Sequence, residues 1–151
     1  MMKSFTLALL LSAAVVSGVR AQVTDTEDNT VTYNNCVDLA DGSIMKLTEC
    51  TVQETRRIYK LVQEKYKELA AISYFSRWNA GSGSVNSNMQ KLLTDWVNYR
   101  DLYCSLYGYA YSQGEGTITP LNEAECSLEL TKSHNKDMDA IITLYKENSD
   151  S

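Results

Sequence analysis

The chain has 151 residues, of which 44% are apolar and 22% are charged, with one proline, seven glycines and four cysteines. These values fit a single globular domain and exclude a collagen-like or low-complexity chain. The single proline leaves long stretches without a helix breaker, which favours an all-α fold. The formal net charge of −5 argues against nucleic-acid binding, because an acidic chain with no basic stripe would be repelled by phosphate.

The first 21 residues have the pattern of a secretory signal peptide. Lys3 provides a basic start, an apolar run extends from Phe5 to Val16, and Ala21 ends the segment with a small residue. A retained membrane anchor is the weaker interpretation, because twelve helical residues span only about 18 Å of a roughly 30 Å hydrocarbon core. We therefore expect cleavage after Ala21, a secreted or periplasmic location, and no stable membrane insertion afterwards. The mature chain would carry 12 basic and 19 acidic residues, a net charge of −7.

All four cysteines lie in the exported part of the chain, at Cys36, Cys50, Cys104 and Cys126. An oxidising compartment predicts two disulfides, for which four cysteines allow three pairings. We favour Cys36–Cys50 with Cys104–Cys126, because each bond closes a short local loop, while Cys50–Cys104 stays sterically open. Widely spaced cysteines and a single histidine, His134, do not suit a metal site. We therefore expect no metal and no other cofactor.

The mature chain predicts an antiparallel three-helix bundle over residues 36–147. Residues 22–35 are polar without a periodic apolar face and predict a flexible leader, and residues 148–151 predict a tail. Three segments predict helices: 47–78, which contains no Gly or Pro, 85–111 and 121–147. A Gly-Ser segment and a turn with Pro120 separate them, and Asn122 is a candidate N-cap of the third helix.

Each predicted helix has apolar residues at steps of three and four, which predicts the face that packs in the bundle. On the first helix these are Ile58, Val62, Tyr66, Leu69, Ile72 and Phe75. On the second they are Met89, Leu92, Trp96, Tyr99, Tyr103 and Leu106. On the third they are Leu121, Ala124, Leu128, Thr131, Asn135, Met138, Ile142 and Tyr145. Thr131 and Asn135 need hydrogen-bond partners if they are buried.

Two sequence motifs are more specific than this helical periodicity. W-x-x-Y-R-D-x-x-C occupies residues 96–104, and C-x-x-x-x-T follows at residues 126–131. With residues 62–69 and 114–118, these motifs resemble the bacterial LprI-type lysozyme-inhibitor family over residues 36–145. The motif residues are Tyr66, Trp96, Tyr99, Arg100, Asp101 and Thr131. The resemblance implies a secreted or periplasmic helical domain that binds a protein and inhibits lysozyme.

Trp96, Arg100 and Asp101 form a candidate cluster within the first motif. Trp96 and Arg100 are four residues apart, so the guanidinium can lie against the indole. Asp101 points about 100° away from Arg100 on a helix, which predicts another basic partner such as Arg56 or Arg57. We favour a structural role in helix packing over a recognition site, because buried Arg and Asp residues usually satisfy each other.

Tyrosine is the most unusual feature of the composition, with ten tyrosines against two phenylalanines. The ordinary explanation is a half-buried ring that keeps its hydroxyl in water. The alternative is a contact surface, since tyrosine is enriched where proteins bind proteins. The candidate partner-binding residues, all within segment 107–118, are Tyr107, Tyr109, Tyr111 and Glu115.

Three classes of function compete for this sequence. The first is an inhibitor or binder of a cationic protein such as lysozyme, which a net charge of −7 would attract. The second is a structural or interaction domain of the cell envelope without inhibitory activity. An enzyme is disfavoured, because His134 has no nucleophile motif beside it and the chain has no phosphate-binding loop.

Overall fold

The computed structural model describes residues 25–72, 83–113 and 116–149, which contain four helices and no strand. The helices are α1 (Asp25–Leu39), α2 (Ile44–Ala71), α3 (Val85–Tyr111) and α4 (Thr119–Ser149). The predicted all-α class is therefore confirmed, but the predicted number of three helices is wrong. The predicted signal peptide and the Gly-Ser segment at 79–82 lie outside the described residues. Within the described residues, no helix is both long and apolar enough to cross a bilayer.

The extra helix, α1, occupies most of the segment that was predicted to be a flexible leader. Its packing is mainly on α2, to which the Cys36–Cys50 disulfide joins it. Asp41 and Gly42 have positive φ angles of 49° and 71° and turn the chain between the two helices. Sequence periodicity does not predict α1, because this helix has no apolar stripe and is held by a disulfide and by packing on one neighbouring helix.

The central helix of the bundle is α4, because both α2 and α3 pack on it while α2 and α3 touch each other only slightly. The core contains residues of all three helices: Val62, Tyr66, Leu69, Met89, Met138 and Ile142. The predicted stripes of α2 and α4 are confirmed at their buried positions, with Asn135 and Tyr145 half-buried. Phe75, the last residue predicted for the first stripe, lies outside the described residues.

The predicted packing face of α3 is wrong at four of its six positions. Met89 is buried, but the side chains of Leu92, Tyr99, Tyr103 and Leu106 are exposed. The covered positions after Met89 instead include Leu93, Arg100, Cys104 and Gly108, on a different side of the helix from most of the predicted stripe. The buried face of α3 is narrower, because this helix packs mainly on α4.

The two disulfides follow the favoured pairing, with Cα–Cα distances of 5.8 Å for Cys36–Cys50 and 5.5 Å for Cys104–Cys126. These distances are typical of disulfides, and each bond stabilises the fold by about 3 kcal/mol on the chain-entropy model. The predicted N-cap of the last helix is wrong, because α4 begins at Thr119 and Asn122 lies within its first turn. Pro120 is tolerated there, since the first turn requires no amide donor.

Candidate functional site

Five residues from three helices form a partly buried group that we call the three-helix cluster: Tyr59, Tyr66, Trp96, Arg100 and His134. The Trp96 ring stacks on the His134 ring with a centroid distance of 4.1 Å and an interplanar angle of 12°. The Tyr66 hydroxyl lies 3.0 Å from Nε2 of His134. The Arg100 guanidinium lies 5.3 Å from the Trp96 ring centroid and 5.7 Å from that of Tyr59. The predicted contact between Arg100 and Trp96 is confirmed, and the cluster joins α2, α3 and α4.

The predicted partner of Asp101 is wrong. Arg100 donates to Oδ1 of Asp101 from Nε at 2.8 Å and from Nη2 at 2.6 Å. The long arginine side chain folds back to the adjacent carboxylate, so the angle between the two Cα–Cβ bonds does not prevent the pair. Arg57 instead pairs with Glu54 on its own helix at 2.8 Å.

The polar residues on the packing face of α4 have the partners that the sequence required. Thr131 Oγ1 donates to the carbonyl of Ser127 at 2.6 Å and accepts from Arg100 Nη1 at 3.3 Å. Asn135 accepts from Lys65 Nζ through Oδ1 at 2.8 Å and through its backbone carbonyl at 3.0 Å. These hydrogen bonds connect α4 with α3 and with α2, which gives the motif residues Arg100 and Thr131 a structural role.

Burial shifts the pKa values of two residues of the three-helix cluster, His134 and Tyr66. Burial lowers the pKa of His134 below 6.5, and the nearby Asp137 carboxylate partly opposes the shift. Burial also raises the pKa of Tyr66 above 10.0, with a smaller contribution from Tyr59. In the part of the chain that the structure describes, no group of three or more His, Cys, Asp or Glu residues is placed to hold a metal ion.

A second aromatic group lies on the surface of α3, and we call it the tyrosine ladder: Tyr99, Tyr103, Tyr107 and Tyr111. The residues are one helical turn apart, and their successive ring centroids are 5.7, 6.5 and 5.0 Å apart. Each ring therefore stacks on the next along the helix. All four side chains are exposed, from 38% for Tyr107 to 71% for Tyr111.

The structure brings only part of the predicted partner-binding set together. Tyr107 and Tyr111 belong to the ladder, while Tyr109 is exposed outside it. Glu115 lies outside the described residues. Sequence reasoning placed Tyr99 and Tyr103 on the packing face and so missed them as surface residues. The signal that could have found them is the unbroken four-residue spacing of tyrosines on α3.

The sequence that forms the C-terminal part of the ladder and the start of α4 is acidic, and one of its acids, Glu125, is shown near the ladder. From Asp101 to Thr131 the sequence has no Lys, Arg or His, while five acids occur: Asp101, Glu115, Glu123, Glu125 and Glu129. The pKa of Tyr107 is raised by desolvation and by Tyr111, with smaller contributions from Tyr103 and Glu125. Glu125 on α4 is therefore within electrostatic reach of the ladder on α3.

These features define a disulfide-stabilised, all-α domain whose most distinctive surface is an exposed row of tyrosines beside negative charge. The family model described as lysozyme inhibitor LprI matches residues 24–137, so the chain belongs to the LprI lysozyme-inhibitor family. The match extends from α1 into α4 and confirms the resemblance found in the sequence. No curated protein and no solved structure matches the chain significantly.

Proposed function

We propose that the chain is an exported protein-binding domain that inhibits lysozyme. Membership of the LprI lysozyme-inhibitor family supports this proposal, and the matched range, residues 24–137, spans all four cysteines. Two disulfides fit an oxidising compartment outside the cytoplasm, where lysozyme acts on the cell wall. Inhibition needs only a surface that binds the enzyme and blocks access to its substrate.

The surface charge supports a cationic partner. After cleavage at Ala21 the chain would have a net charge of −7. Such a charge raises the association rate with a basic protein, while affinity comes from the residues in contact. As contacts we propose the residues that the sequence indicated: Tyr107, Tyr109, Tyr111 and Glu115.

The test is the rate at which a c-type lysozyme lyses bacterial cells in the presence of oxidised chain 22–151. We expect the rate to fall as micromolar chain is added, and to fall less at high salt, where charge steering is screened. A reduced and alkylated sample keeps the acidic residues but lacks the disulfides. It therefore separates inhibition by the folded surface from a general effect of charge.

Absence of inhibition at micromolar chain and low salt would contradict the proposal. The exposed ladder would then favour the alternative of an envelope interaction domain without inhibitory activity. That alternative predicts capture of an envelope protein by the wild-type chain, and loss of capture when Tyr107 and Tyr111 are replaced.

A further inference from the structure

We propose that the tyrosine ladder and the acidic α3–α4 surface beside it form the docking surface for a cationic protein that presents Lys and Arg side chains. This inference rests on the proposed function and names the surface that would serve it. It adds Tyr99, Tyr103 and Glu125 to Tyr107 and Tyr111, which the sequence also indicated.

The first argument is that the ladder is an ordered and exposed row of aromatic rings. Among the described residues, its ring contacts are only those between successive ladder tyrosines. Leu102 and Leu106 follow Tyr99 and Tyr103 by three residues and are 75% and 67% exposed, so they extend the same apolar surface. A continuous apolar patch of this kind on one helix marks an interaction site.

The second argument is that stacking prepares the ladder for binding. Tyrosine has few rotatable bonds, and each ring is further restrained by its neighbour one turn away. Ordering these side chains on binding therefore costs little conformational entropy. Large aromatic side chains held in this way are typical of the residues that dominate binding energy.

The third argument is that the negative charge beside the ladder favours a cationic protein as the binding partner. A second copy of the chain has the same negative net charge and would bring its own Glu125 against this one, whereas a cationic protein would complement that charge. Lys and Arg can also contact tyrosine rings and donate to phenol oxygens. The chain makes such contacts internally, with Arg100 over Tyr59 and Lys132 over Tyr33.

The experiment measures binding of a c-type lysozyme to chain 22–151 by calorimetry and by surface kinetics at low salt. Tyr103→Ser with Tyr107→Ser should raise Kd at least about 30-fold, which is the loss expected for interface hot spots. Glu125→Lys should mainly lower the association rate, by several-fold. Lysozyme with acetylated lysines should also bind at least about tenfold more weakly to the wild-type chain.

The matched control is Leu39→Ser with Met45→Ser, a pair of side chains that are each 78% exposed and belong to α1 and α2 rather than to α3. This variant should bind as the wild type does. A second measurement requires no variant: bound lysozyme should protect the ladder tyrosines from nitration more than it protects Tyr33, as read by mass spectrometry.

The outcomes separate this inference from the proposed function. If the wild type binds and inhibits but the ladder variant does so equally well, the inference is wrong and the function stands. If the wild type neither binds nor inhibits lysozyme, the proposed function is wrong and the inference falls with it. If sedimentation shows a dimer that the ladder variant abolishes, a second copy occupies the surface and the inference is again wrong.

Discussion

Two aromatic groups on α3 differ in what they contact. Trp96 stacks on His134 of α4, and Arg100, which lies against Trp96, also contacts Tyr59 of α2. The ladder begins three residues later at Tyr99, and its ring contacts run along α3 itself. One group connects helices and the other covers a helix surface.

This difference shows that residue type does not decide the role of an aromatic side chain in this bundle. Trp96 lies where α3 faces α4, so its ring is covered by a neighbouring helix. The ladder lies outside the narrow buried face of α3, which includes Cys104 and Gly108. Substitutions in the cluster should therefore change stability, and substitutions in the ladder should change binding.

The largest effect on stability is expected from Trp96→Ala. The change removes the stack on His134 and one ring under Arg100, and should lower the free energy of unfolding by about 2–3 kcal/mol. The matched truncation Tyr103→Ala should lower it by less than about 0.5 kcal/mol, because this ring is exposed. Urea denaturation with both disulfides intact would measure the two values.

The distinction between the three-helix cluster and the ladder would be contradicted if Trp96→Ala and Tyr103→Ala lowered the free energy of unfolding by the same amount. An equal cost would mean that ladder stacking stabilises α3 as much as the contacts of the cluster do. Trp96→Phe serves as a control, because a smaller ring can keep part of the stack and should recover part of the loss.

A second, somewhat smaller effect is expected at Gly108, next to the ladder residue Tyr107. A Cβ atom at Gly108 would overlap Cγ of Glu123 and lie 3.1 Å from the carbonyl oxygen of Thr119, both on α4. Gly108→Ala should therefore destabilise the protein by about 1–2 kcal/mol, although alanine is the better helix former. Thermal or urea unfolding would show the loss.

The double variant Gly108→Ala with Glu123→Ala sharpens this test. Removing Cγ of Glu123 eliminates the closest contact, so the double variant should lose less stability than the two single losses added together. If the stability losses of the two single variants add exactly in the double variant, the close approach of α3 and α4 is not the reason that Gly108→Ala destabilises the protein.

The parts of the fold that the sequence predicted are those governed by local or periodic signals. The α3 boundaries, Val85 and Tyr111, were predicted correctly because a breaker segment and a turn flank an uninterrupted helical pattern. The disulfide pairing was predicted because both bonds are local. In contrast, α1 could not be predicted, since its position depends on the covalent bond to Cys50 rather than on an apolar stripe.

The site was less predictable, because a single helix pattern does not show which side of the helix meets a neighbour. Tyr99 and Tyr103 fit a packing face by spacing, yet only the arrangement of α3 on α4 shows that they are exposed. The Arg100–Asp101 pair was missed because helix geometry fixes Cβ directions and not the ends of long side chains. Arg100 against Trp96 was predicted because spacing of four residues determines that contact.

The smallest effect is expected from pH, and it too belongs to the three-helix cluster. Burial holds the pKa of His134 below 6.5, so the unfolded chain binds a proton more readily than the folded one as the pH falls. His134 therefore stabilises the fold above about pH 6.5, and that stability decreases as the pH falls towards the lowered pKa. His134→Phe keeps a ring on Trp96 without a titrating group, and should flatten the fall in unfolding free energy between pH 7 and pH 5. Urea denaturation at both pH values would measure this fall. If the free energy of unfolding falls equally in wild type and variant, the carboxylates rather than His134 cause the pH dependence.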